Sequence, residues 1–485
     1  MCAVSSLPPE IWRFIIDLLP RRDHRTCLFL SKVHHDIAFS NMFSHVTVTF
    51  GLWRWRGIPA DQFNIQPNDE DDDYRRMVRR NGLTWDILRA ISGRPDFAKV
   101  VREFTVRAHA WEGGEHFLEK RCLIQALKVL PNLRVFHWYG QRPAPSSEIF
   151  EALATGSSTT LTELHMPFVD LWPAMHADEI PYHKTVQETI AANAATLRRL
   201  DVFGDVLWEC PSPSFANLHE LTIVFPNTFD GLGSVFEHCR GLGGFTLCME
   251  NDGMELAEVV KTHPDAFPNL TSFKLLSVFD LPDEAVEEVA KFLKKKKLLR
   301  RVDVITRTEA QAREALVNVS LLKILPELPR LEVLGLDIRP AKLTAAHVKL
   351  LQQYVPRQVT ALFILFQSGS SDAKVADWRN FVSEHDALRY LHIATRSLGN
   401  AIFKRPPPAL ELLGYNNGMR WVTHNPTTYS GFWPHAKMYF RTVEDYDGCE
   451  DWEWLLRHHG QDDDDCDIWS MSPPDAWKRM DAEVF

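Results

Sequence analysis

LTSFKLLSVFDLPDEAVEEVAKFLKKKKLLRRVDV, residues 270 to 304, holds one full period of the pattern that decides the fold. It opens with Leu270, Phe273 and Leu275, spaced as Leu-x-x-Leu-x-Leu, and closes on the next copy, Leu299, Val302 and Val304. The alternation that ends each triplet marks a strand with one buried face. Between the copies, Val286, Val289, Ala290 and Leu293 share one face of a helix. Acids stand at the start of that helix and lysines at its end, matching its macrodipole.

The same template recurs on both sides. Before it come Leu133/Phe136/Trp138, Leu161/Leu164/Met166, Leu197/Leu200/Val202, Leu218/Leu221/Ile223 and Leu242/Phe245/Leu247. After it come Leu331/Leu334/Leu336, Val359/Leu362/Ile364, Leu388/Leu391/Ile393 and Leu410/Leu413/Tyr415. Val101/Phe104/Val106 reads as an earlier copy, and the copies start 21 to 36 residues apart. TAAHVKLLQQYV (344–355) and REALVNVSLLKIL (313–325) are further helix patterns, and LPNL, FANL, FPNL and LPRL mark the passage from helix into strand. The physical reading is a solenoid, each strand beside the last with helices covering one side. The competing reading is an ordinary α/β domain whose strands share a pattern. The series is similar to leucine-rich repeats, of an irregular kind. The Asn which that family places eight positions after the first Leu is missing; Gln141, Val169, Asp205 and Arg396 stand there.

The N-terminal stretch LPPEIWRFIIDLLP (7–20) is apolar on two sides. Ile11, Ile15 and Leu18 make one helical stripe, and Trp12, Ile16 and Leu19 make a second about 100° round. Such a helix is buried in a large body or touches two bodies. Asp23 reads as the N-cap of a second helix through HRTCLFLSKV, HHDIAFSNMF as a third, and HVTVTF as a strand. In this order the segments resemble an F-box, although Ser31 and His34 stand where Cys and Trp are common in that family. The resemblance implies docking to a Skp-family adaptor and, through it, to a cullin ubiquitin ligase. It points to Leu7, Pro8, Ile11 and Ile15 at the adaptor interface, with Leu28 and Val33 helping from the later helices. One stripe then holds the helical unit together and the other meets the adaptor.

Glu10, Arg13 and Asp17 interrupt the apolar run, which argues against a signal peptide, and no stretch is long enough for a transmembrane helix. Eight cysteines show no CxxC or zinc spacing, so reduced core residues of an intracellular protein of cytoplasm or nucleus are expected. The net charge of −10 is uneven: residues 444 to 485 carry −11 and the rest is near neutral, unlike a broad nucleic-acid surface. PNDEDDDYRR (67–76) reads as an exposed loop and QDDDDCD (461–467) as disordered. KKKKLLRR (294–301) reads as the end of a repeat helix, with nuclear import as the alternative. Trp421, Trp433, Tyr439, Trp452 and Trp454 belong to an aromatic-rich C-terminal stretch that reads either as the cap a solenoid end needs or as a recognition surface.

Motifs with a catalytic mechanism are missing: GxSxG, HExxH, GxGxxG and a Walker-type loop do not occur. The adjacent His34/His35 and His458/His459 pairs point apart on a helix and cannot chelate. The expectation is therefore an α/β chain without catalysis, cofactor or metal. It comprises a three-helix F-box (5–48), a linker with an acidic loop (49–96), a leucine-rich-repeat-like solenoid or horseshoe (97–418), and an aromatic, acidic cap and tail (419–485). Its expected partners are a Skp-family adaptor, a cullin through it, and a protein substrate, with no nucleic acid or membrane. The rival is a repeat-based interaction scaffold not coupled to ubiquitination.

Overall fold

The computed structural model describes residues 7–19, 21–51, 82–109, 117–142, 145–156, 160–166, 183–277, 279, 281–306, 319–338, 343–366, 372–394, 409–415, 418–421 and 450–456. These residues fall into two compact units, one running to Val202 and the other from Phe203.

The first unit begins with three helices, α1 (Pro9–Asp17), α2 (Arg21–Cys27) and α3 (Lys32–Phe43). Pro9 suits the first helical position, where the missing amide hydrogen costs little. Ile16, Cys27, Ile37 and Ala38 form a small core, with Trp12, Leu19 and Leu28 packed against it. This corrects the sequence reading twice. Asp23 lies inside α2 and is not its N-cap, and the second helix stops at Cys27 instead of running to Val33. The cause is Ser31, which adopts an extended conformation and accepts a hydrogen bond from the His34 amide at 3.3 Å, so that α3 starts at Lys32. Phe39 and Phe43 then pack on Phe97 of α5 (Pro95–Val100).

The strands of this unit are β1 (His45–Gly51), β2 (Glu103–His109), β3 (Val135–Arg142), β4 (Glu163–His165) and β5 (Arg199–Phe203), parallel and side by side in chain order. Helices α4 (residues 82–93), α6 (Phe117–Leu127), α7 (Ser147–Gly156) and α8 (His183–Ala192) alternate with the strands along the chain. The sheet therefore starts inside the ranges expected for the F-box and linker, because β1 pairs along its whole length with β2. Thr84 of α4 exchanges hydrogen bonds with the backbone of Thr49, tying that helix to β1.

The second unit repeats the scheme with β6 (Glu220–Val224), β7 (Gly244–Met249), β8 (Ser272–Ser277), β9 (Arg301–Thr306), β10 (Val333–Ile338), β11 (Ala361–Phe366), β12 (Tyr390–Ala394) and β13 (Leu412–Tyr415), all parallel in chain order. Its repeat helices include α10 (Leu232–His238), α11 (Met254–Thr262), α12 (Asp283–Lys294), α13 (Val319–Ile324), α14 (Ala345–Tyr354) and α15 (Val375–Ser383). A short α9 (Asp205–Trp208) precedes them. The strand β14 (Gly418–Trp421) pairs antiparallel with β13.

The leucine template is the register of these sheets. Leu221, Phe245, Phe273, Val302, Leu334, Leu362, Leu391 and Leu413 stand opposite one another across successive strands. In the first unit Phe104, Phe136, Leu164 and Leu200 do the same. The first seven of the former row and all of the latter are buried. Helix residues meet them from one side, as Phe292 of α12 does Phe273.

A backbone device recurs at the strand starts. At the entries of β2 to β5 and of β7 to β13, one carbonyl of the preceding repeat takes two successive amides. Arg300 and Arg301 both donate to Thr271 O at 2.7 and 3.0 Å, and Glu332 and Val333 donate to Arg300 O at 2.8 and 3.0 Å. Thr271 and Thr360 add hydroxyl donors to the same carbonyls, Gly243 O and Glu332 O.

The described residues of the expected aromatic cap fall in two places. Strand β14, which holds Trp421, pairs along β13, the strand of the last repeat. Helix α16 (Glu450–Leu456) packs on the sheet face opposite the repeat helices, against β10 and β11, where Trp452, Trp454 and Leu455 are buried. Trp433, Tyr439, the acidic loop at 67–76 and the acid run at 461–467 lie outside the described residues.

Candidate partner-binding surfaces

The N-terminal helices separate their two stripes as the amphipathic pattern requires. Trp12, Ile16 and Leu19 turn inward. Leu7, Ile11, Phe14, Leu18, Phe29, Leu30 and Val33 are exposed, Phe14 by 66% and Phe29 by 87%. Apolar groups of this size grouped on one small helical unit make it a candidate contact surface. Of the residues expected at an adaptor interface, Leu7, Pro8, Ile11 and Val33 are exposed and Ile15 is half-buried. Leu28 is the exception, because it packs against the small core. The turn that ends α2 carries its neighbours Phe29 and Leu30 outward instead. Phe14, Leu18, Phe29 and Leu30 were not among the expected residues. Phe14 and Leu18 were within reach of the spacing rule, since they stand three and seven positions after Ile11.

The helix-free sheet faces mix polar and charged residues with apolar ones. In the first unit the register places Thr105, His137, His165 and Asp201 in one row. His137 Nε2 lies 2.9 Å from Glu163 Oε1, and His165 Nδ1 lies 2.7 Å from Asp201 Oδ2. Burial pushes the Glu163 pKa up, but the hydrogen bond and charge of His137, with the charges of Arg199 and His165, together hold the carboxyl below its usual range. Among the described residues, no group of three or more His, Cys, Asp or Glu side chains is placed to hold a metal ion. Cys210 and Cys239 are buried thiols whose pKa burial pushes up to about 12, so neither is poised as a nucleophile at neutral pH.

In the second unit the corresponding row runs Thr246, Lys274, Asp303, Gly335, Phe363, His392. Lys274 and Asp303 are 1% and 0% exposed, and the Lys274 Nζ lies 2.8 Å from Asp303 Oδ2. Lys274 Nζ also donates to Leu455 O of α16 at 3.0 Å and lies 4.7 Å from the Trp454 ring centre. Asp451 accepts from Arg300 Nη1 and Arg301 Nε, each at 2.9 Å. Trp452 stacks on Tyr390 with ring centres 5.5 Å apart. Beside Trp454 and Arg301 a cavity of about 260 Å³ stays open, lined also by Thr222, Gly243, Gly244 and Thr246.

The basic run at 294–301 lies at the end of α12 and the entry to β9, with Lys294, Lys295 and Lys297 exposed. Lys294 pairs with Glu327, Lys295 with Asp265, Lys296 is buried, and both arginines hold Asp451. No helix among the described residues is long and apolar enough to cross a membrane.

No protein-family model matches the chain, and no curated protein matches it. Among solved structures it is similar to the Rad7 and Elc1 complex in yeast, at 12% identity and a TM-score of 0.35 over 76% of this chain and 89% of that one. It is also similar to the TLR13–ssRNA13 complex, at 14% identity and 0.27 over 68% and 38%. A protein from Bacteroides fragilis follows at 12% and 0.25 over 63% and 68%. Overlaps this loose bear on neither the fold nor the function of this chain.

Proposed function

We propose that this chain is a substrate receptor of a Skp–cullin–F-box type of ubiquitin ligase. The N-terminal helices dock a Skp-family adaptor, and the repeats hold a protein substrate. The observation that supports the reading is the outward apolar face of α1 and the α2–α3 turn, on a helical unit whose other stripe already has its own core. The chain performs no chemistry in this scheme. Its contribution is proximity, holding a substrate near a ubiquitin carrier that other subunits supply.

The test is binding of the purified chain to a purified Skp-family adaptor. Each buried Leu, Ile or Phe contact contributes about 1.5–3 kcal/mol, so removing one lowers affinity roughly tenfold to over a hundredfold. Leu7→Ala/Phe14→Ala should abolish capture while leaving the melting temperature unchanged, because both side chains are exposed in the free chain. Leu28→Ala should instead lower the stability of the helical unit. Undiminished adaptor binding by the double variant, or no binding by the parent, would leave the repeat-based scaffold as the better reading.

A further inference from the structure

Helix α16 lies on a surface of unusual composition. The side of the second unit's sheet that faces the repeat helices is a row of Leu, Phe, Val and Ile. The side under α16 sets Lys274, Asp303, Asp337, Tyr390 and His392 among the apolar Leu276, Ile305, Val333, Phe363 and Leu365, all buried. Burying an ion pair costs desolvation that apolar residues of similar size would not incur, so a permanent core gains little from this choice. Such a composition suits a face whose occupant can exchange.

The occupant is built for the same conditions. At seven residues, α16 is too short to be a stable helix in isolation and takes its order from the surface beneath it. It is held by a few specific contacts. Asp451 meets two guanidinium groups, Leu455 O meets the Lys274 ammonium, Trp452 stacks on Tyr390, and Trp454 lies under Lys274 and Arg301. Aromatic anchors beside a charged pair are the composition of an interface hot spot. The open cavity next to Trp454 continues the same face over β6 and β7, where Gly243 and Gly244 leave room for more of an occupant than α16 supplies.

We infer that the helix-free face of β8–β12 is a recognition groove for a short helical segment carrying an acid followed by tryptophans, and that α16 is its resident occupant in cis. A partner bearing such a segment binds by displacing α16. The inference deepens the receptor reading by naming the chemistry that the repeats select. It rests on that reading only for the partner's role as substrate, and its test contains no adaptor, so the two fail separately.

The probe is a fluorescein-labelled peptide copying residues 450 to 456, followed by anisotropy against the full-length chain. In the parent chain the tethered helix competes at high effective concentration, so the peptide binds weakly. Trp452→Ala/Trp454→Ala weakens the tethered competitor and should raise peptide affinity at least tenfold. A peptide with Lys in place of the Asp451 equivalent should not bind. A folded double variant that takes up no peptide overturns the inference, as does equal binding of the Lys peptide. If the double variant does not fold, hydrogen exchange of the parent chain decides. Amides of α16 exchanging at least tenfold faster than those of β9 support a displaceable helix, and equal rates overturn it.

Discussion

Gly335 shows how little freedom a single position has on the helix-free sheet face. It sits in β10 beside Asp303, and a Cβ there would overlap the Asp303 carboxylate. That carboxylate is fixed by Lys274 and cannot swing away without breaking a buried pair. Gly335→Ala should therefore destabilise the chain by about 1–3 kcal/mol, the usual cost of overpacking, read from a denaturant midpoint. Lys296 gives a prediction with a defined sign. Burial lowers its pKa from 10.5 to about 8; the Asp265 charge raises it and the Lys295 charge lowers it further. The unfolded chain thus holds a proton that the folded chain releases between pH 8 and 10.5, and in that window this group makes stability rise with pH. Below pH 8 the same group opposes folding by its full amount. Lys296 Nζ also donates to Pro264 O and lies over the Phe292 ring, so Lys296→Met changes more than charge. The diagnostic is the pH slope: subtracting the variant's unfolding midpoints from the parent's should leave a difference that grows from pH 8 to pH 10. A flat difference would show that the amine is not held in its neutral form. Neither residue stood out in the sequence, where Gly335 was one glycine among 23 and Lys296 one lysine in a run of four.

The elements were legible to different degrees, for physical reasons. The strands could be read because each must present two apolar residues, two apart, to the same helix layer, and that constraint recurs with every repeat. Leu275 is buried at the position the template assigns, and Leu275→Ala should cost about 2–5 kcal/mol in thermal or chemical unfolding. Helix ends were less legible. Leu28, Phe29 and Leu30 continue an apolar run that looks helical, and only the side chain of Ser31, turned onto the His34 amide, shows where α2 has ended and α3 begins. Ser31→Ala should cost about 1 kcal/mol and loosen the start of α3, detectable as faster amide exchange at Val33 and His34. The same boundary decides the candidate docking face. Placing Val33 on α3 and turning Phe29 and Leu30 outward makes the exposed face wider than the stripe on α1 alone, while Leu28 joins the core. The missing Asn was visible in the sequence, but the paired amides at the strand entries were not, because backbone interactions leave no side-chain signature.

Among the described residues of the second unit, each repeat strand pairs with its neighbours, while α16 reaches across several of them. The sequence left the C-terminal aromatics as either a cap or a recognition surface, and the described ones divide: Trp421 stands in β14 beside the last repeat strand, while Trp452 and Trp454 are buried in α16 on a sheet face. Trp452 and Trp454 have the same composition whether they close a solenoid end or lie across a sheet face. What distinguishes the two is the set of contacts offered by Lys274, Arg301 and Tyr390 on one sheet face, assembled only when strands more than a hundred residues apart in sequence line up. A chain of nearest-neighbour units confines the effect of a core deletion to adjacent repeats. Helix α16 touches Lys274 in β8, Arg300 at the entry to β9, Arg301 in β9 and Tyr390 in β12, so it fastens together strands that are not neighbours. Phe273→Ala removes a buried ring from β8 and should raise amide exchange from β7 through β12 in the parent background. In a chain ending at residue 449 the same substitution should perturb only β7 to β9, because the fastening is gone. Truncation after Leu456 keeps α16 and should reproduce the parent pattern. An exchange map that responds uniformly over every strand in all three backgrounds would mean that the repeats unfold as one cooperative block, and that α16 adds nothing to their coupling.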